Sequence, residues 1–144
     1  MRKKLSAITV ALSFGLVVSI ISGGAANRVD LVDSGFLTLE KHATGKVYIA
    51  WSDAYEHEDG FVITGVLRRR DHVGSAIKAH VDVTVLSPEG RVVDTARSNA
   101  VYVPRRITGR GQSLKRFSVH LPNVPPRGST VRVASHTGLH DDAT

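Results

Sequence analysis

Histidine is the residue type with the widest chemical reach in this chain, at His42, His57, His72, His80, His120, His136 and His140. A neutral imidazole is the commonest transition-metal ligand, so the question is which of the seven converge. His136 and His140 are four residues apart, and Asp141 and Asp142 add carboxylate oxygens beside them. That spacing would put two ligands on one helical face, but Ser135, Thr137 and Gly138 favour coil. The pair reads as a loose copper or zinc site in a flexible tail. His80 and His120 offer a second pairing, because each falls on the polar side of a strand-like alternation. If those two strands are neighbours in one sheet, the rings face each other; the plainer alternative is that both fill a wet face. The metal reading thus rests on His80, His120, His136 and His140, with copper or zinc; the alternative needs no cofactor.

Arginine supplies the other candidate chemistry. Pro104 to Gln112 sets Arg105, Arg106 and Arg110 among glycines in what must be a loop. Guanidinium forks pair bidentately with carboxylates and phosphates, so this loop is a candidate contact for an anionic glycan, a lipid head group or an acidic protein patch. It lacks the Gly-Lys-Ser/Thr ending of a phosphate-cradling P-loop. Asp53, Glu56, Glu58 and Asp59 precede Gly60 as an acidic counterpart, without the ligand order of an EF-hand. No Gly-x-Ser-x-Gly elbow occurs. With no cysteine, thiolate metal sites, thiol redox chemistry and a cysteine nucleophile are excluded. No residue is assigned a catalytic role, and no enzyme is expected.

Strands must carry these side chains. From Lys46 onward the apolar residues recur with period two, and no useful window shows the 3.6-residue spacing of an amphipathic helix. Val47, Ile49 and Trp51 form one face of a strand over Lys46 to Tyr55, which places Trp51 in the core; Phe61 to Leu67 returns after an acidic turn. Val81, Val83 and Val85 alternate with His80, Asp82 and Thr84. Ser87-Pro88-Glu89-Gly90 is a turn, with proline presetting φ and glycine taking the awkward last position, so Arg91 to Ala96 runs back antiparallel. Val101 to Val103 stops at Pro104, which lacks a ladder donor. Phe117, Val119 and Leu121 form the next strand, Val131 and Val133 another, and Gly35 to Leu39 a possible edge. About seven strands with turn signals every 8 to 12 residues predict an all-β, antiparallel, immunoglobulin-like β-sandwich.

His80 to Ala134 resembles the small bacterial extracytoplasmic sandwich domains of the FxLYD type. The residues that carry the likeness are Val81 to Leu86, the hairpin Pro88-Glu89-Gly90, Arg91 to Ala96, and Phe117 to Leu121. Val83-Thr84-Val85-Leu86 stands where that family has an aromatic-rich pattern. The resemblance implies a sandwich that mediates contacts and assigns no site.

The first residues speak of address. Arg2, Lys3 and Lys4 precede an uncharged run from Leu5 to Ile21, closed by small residues up to Ala26. This is the pattern of a secretory signal peptide over 1–26, cleaved after Ala26. An uncleaved anchor is the competing reading, since crossing a bilayer takes about 20 apolar residues. Without the leader the formal charge falls from +6 by three, to +3, which does not argue for nucleic acid. The expectation is a flexible segment over 27–45, a sandwich over 46–136 and a flexible tail over 137–144. The protein is expected to be periplasmic or secreted, to touch a membrane only through an uncleaved leader, and to bind an envelope protein or anionic polymer.

Overall fold

The computed structural model describes residues 28–107 and 113–138. The leader over 1–26, Arg110 and His140 lie outside the described residues. The described chain contains eight strands and no helix: β1 Thr38–Ala43, β2 Val47–His57, β3 Gly60–Arg69, β4 Ile77–Leu86, β5 Val92–Arg97, β6 Val101–Val103, β7 Leu114–Leu121 and β8 Thr130–Thr137. They form a three-stranded sheet in the order β2-β3-β7 and a five-stranded sheet in the order β1-β8-β4-β5, with β6 also paired to β4. All pairings are antiparallel except β1 with β8, which is parallel from Thr38 opposite Thr130 to Ala43 opposite Ser135.

The alternating apolar residues turn toward each other between the two sheets. Val81, Val83 and Val85 of β4 and Val131 and Val133 of β8 meet Phe61, Ile63 and Leu67 of β3 and Phe117, Val119 and Leu121 of β7 in one buried cluster. At one margin Ser135 Oγ donates to the Val47 carbonyl at 3.0 Å, a buried tie from the larger sheet to the smaller. The edge of β4 is shared, with β5 covering Asp82 to Leu86 and β6 covering Ile77 to Ala79. Val81 sits near the break between them, where Ser98 donates its amide to the Val81 carbonyl at 2.8 Å and accepts the Val81 amide on Oγ at 2.9 Å. No backbone group at Val81 is left without a partner, as burial requires.

Three expectations need correction. Trp51 is not in the core but 43 % exposed. In the β2–β3 ladder Ile49 faces Leu67 and Trp51 faces Val66, so Ala50 is an extra residue, a β-bulge. It shifts the alternation by one: Val47 and Ile49 point inward, and beyond the bulge Ser52 and Ala54 do so instead. A second departure lies in the segment before β1, expected to fray. Leu31 and Leu37 are both 3 % exposed, and the Leu31 amide donates to the Ala54 carbonyl at 2.8 Å. Leu31 and Leu37, with Val32 and Phe36 packed beside them, offset the polar run around them. Third, β4 and β7 belong to different sheets, so His80 and His120 do not face each other.

Gly65 fits the bulge to the core. It lies opposite Ser52 on one side and Phe117 on the other, on the buried face of β3. A Cβ there would stand 2.4 Å from the Trp51 carbonyl oxygen and 2.6 Å from the Phe117 ring, so only glycine fits this close approach.

Candidate functional site

The bulge builds the most distinctive surface of the molecule, the outer face of the three-stranded sheet. Cross-strand register sets its rows: Tyr48, Arg68 and Leu114; then Trp51, Val66 and Arg116; then Asp53, Thr64 and Ser118; then Tyr55, Val62 and His120. Ala50, Trp51, Val66, Arg68, Leu114 and Arg116 line a shallow depression of about 410 Å³. Strands lie roughly 4.8 Å apart, so Trp51 and Arg116 spring from points about 10 Å apart with Val66 as the floor between them. The Arg70 guanidinium stands 5.1 Å from the centre of the Tyr48 ring, a cation–π contact beside the same depression. An exposed indole among guanidinium groups offers a flat apolar platform with anion-pairing donors at its margin.

Charge is graded along this sheet. Arg68, Arg70, Lys115 and Arg116 lie toward one end, and Glu56, Glu58 and Asp59 form the hairpin at the other. Between them the Tyr55 hydroxyl donates to Asp53 Oδ2 at 3.2 Å. Burial first, and then the neighbouring Asp53 carboxylate, raises the Tyr55 phenol above its ordinary range.

Arg69 organises the basic end from inside. Its side chain is 2 % exposed and donates to Asp71 Oδ1 and to the carbonyls of Ser75 and Val73. Burial opposes ionisation of Asp71, but hydrogen bonds from Lys46 and Arg69, with their charges, win and hold its carboxyl below the ordinary range. The loop so fixed holds the predicted arginine loop in turn. The Arg106 amide donates to the Asp71 carbonyl, and His72 Nδ1 lies 3.2 Å from the Arg106 carbonyl. Arg105 and Arg106 are exposed and flank the basic end through these anchors.

The remaining predicted histidines sit on the opposite side of the molecule. His80 and His136 are register partners in β4 and β8, and their rings stack with centres 5.5 Å apart. His80 is 7 % exposed although it lies on the outer face of its sheet. Asp82 Oδ2 is 3.7 Å from His80 Nε2 and 3.5 Å from His136 Nε2, while Arg97 Nε donates to Asp82 Oδ1 at 2.6 Å. Burial would raise the Asp82 pKa; the Arg97 hydrogen bond and charge, then the two imidazoles, outweigh it and hold the carboxyl below its usual range. Among the described residues no three His, Asp or Glu side chains form a group able to hold a metal ion. The cluster gathers Asp82, Arg97 and the two stacked rings on the outer face of the five-stranded sheet.

Sequence reasoning singled out Arg105 and Arg106, which lie beside this face, and did not single out Trp51, Arg68 and Arg116 as part of it. The change of phase that turns Trp51 outward shows only in the structure, where Ser52 and Ala54 continue the buried face that Val47 and Ile49 begin. No protein family, curated protein or solved structure matches the chain, so what this face binds is argued from its own chemistry.

Proposed function

We propose that the protein is an exported, noncatalytic binding module of the cell envelope, periplasmic or secreted, built as an immunoglobulin-like sandwich and delivered by a signal peptide over residues 1–26. Its contact surface is the outer face of the β2-β3-β7 sheet, and its ligand is a carboxylated polysaccharide. The observation that carries this reading is Trp51, turned outward by the bulge and set in one depression with Arg68 and Arg116. An indole stacks on the apolar face of a sugar ring, and a guanidinium fork takes a carboxylate in two parallel hydrogen bonds. Arg105 and Arg106 extend the cationic margin. A shallow, open face suits a chain laid across strands better than a small molecule that needs enclosure.

Trp51 is the only tryptophan, so its fluorescence reports on this surface alone. Titration with polygalacturonate is expected to give a saturable change in emission that weakens with salt, with no response to neutral dextran. Arg68→Glu with Arg116→Glu should abolish it, and Arg105→Glu with Arg106→Glu should weaken it. Emission unmoved by polygalacturonate, or moved equally by dextran, overturns the reading.

A further inference from the structure

At the acidic end of the same sheet, His57 and His120 come together without any sequence motif to announce them. His57 closes β2 opposite Gly60, and His120 lies on β7 opposite Val62, so a whole strand runs between them. Gly60 packs directly against the backbone at Leu121 and Pro122, and no other residue would fit there. A Cβ at Gly60 would stand 2.0 Å from the Leu121 carbonyl oxygen, and its φ is +132°. Beside this close strand contact the two rings meet edge to face, with centres 5.5 Å apart and planes at 84°. Both side chains are exposed, and Glu56, Glu58 and Asp59 surround the same hairpin.

We propose that His57 and His120 form a two-histidine site for a divalent transition-metal ion. Two imidazoles sharing one cation, each nitrogen about 2 Å from it, hold their ring centres roughly 5 to 6 Å apart. The spacing of 5.5 Å already meets this, and a turn about the soft terminal torsion of one ring aims both nitrogens at a common point. The hairpin acids draw cations to this end, opposite in sign to the Arg68 and Arg116 end. Nitrogen ligands select copper, nickel or zinc over magnesium and calcium, which require oxygen. With two protein ligands the remaining positions belong to water, so the ion exchanges readily. This site is separate from the Trp51 surface and stands or falls independently of polysaccharide binding.

The test uses the whole exported protein and added Zn²⁺. At a tenfold excess over the dissociation constant, the melting temperature should rise by about 5 °C in the wild type. The rise should vanish in His57→Ala and in His120→Ala, persist in His136→Ala, and not occur with Mg²⁺. It should also weaken as pH falls, because protons compete with the metal for nitrogen ligands. As a second measurement, Cu²⁺ should broaden the ring signals of His57 and His120 before those of His42, His72, His80 and His136. No rise in the wild type, or a rise that survives both alanine variants, overturns the proposal.

Discussion

Gly65→Ala is the sharpest probe of how the core holds Trp51 outward. The added methyl meets the Trp51 carbonyl oxygen at 2.4 Å and the Phe117 ring at 2.6 Å. Ordinary contacts at such atoms begin near 3.4 Å, so both partners must give by about an ångström. Phe117 is buried against β3, and the carbonyl belongs to the backbone of the bulge, so neither moves freely. Overpacking a filled core costs about 1–3 kcal/mol, and two obstructions, one of them backbone, place this variant near 3 kcal/mol. In a domain of roughly 100 residues each kcal/mol shifts the melting temperature by about 4 °C, so a fall of about 12 °C is expected. Adding Phe117→Leu should recover less than half of it, because the carbonyl remains. The assay reads two channels, thermal unfolding by circular dichroism and Trp51 emission in the folded state. If β2 escapes the clash by losing its bulge, Trp51 turns inward and its emission moves to the blue. Unfolding within about 2 °C of the wild type, with unchanged emission, refutes the account of Gly65.

Trp51→Ala should cost about 1 kcal/mol, against about 3–5 kcal/mol for Phe61→Ala, when both are unfolded in urea. Equal losses would return Trp51 to the core. Ser135→Ala removes the buried bond to the Val47 carbonyl and should lower stability by about 1 kcal/mol in the same assay. Asp82 titrates below its ordinary range in the fold, so its stabilisation is full above about pH 4 and is lost as pH falls through the folded value. Asp82→Asn should therefore flatten the acid limb of urea midpoints measured against pH. At neutral pH it should cost no more than about 1 kcal/mol, since the side chain is partly exposed.

The strands were legible where alternation was clean. Val81, Val83 and Val85 fixed β4, Pro88-Glu89-Gly90 fixed its hairpin with β5, and Pro104 marked the end of β6. Pairing was less so. Thr38–Ala43 has one apolar residue of any size, Leu39, and its place beside β8 depends on a partner far along the chain. Trp51 was misread because one inserted residue reverses every later side chain of a strand, and nothing at Ala50 declares the insertion. Arg69 could have been found: it follows Leu67 at the inward period, between the outward Arg68 and Arg70. The meeting of His57 with His120 was beyond reach of the sequence, because it depends on β2 and β7 flanking β3.

Among the described residues, the strand hydrogen-bonded to β1 is β8, with Thr38 aligned to Thr130. Synthesis delivers those partners far apart in time, so the larger sheet stays open at its rim until β8, the last described strand, has been made. Distant pairing of this kind slows folding. A polypeptide that delays closing in this way stays pliable, with its rim unsealed, for as long as the ribosome is still making it.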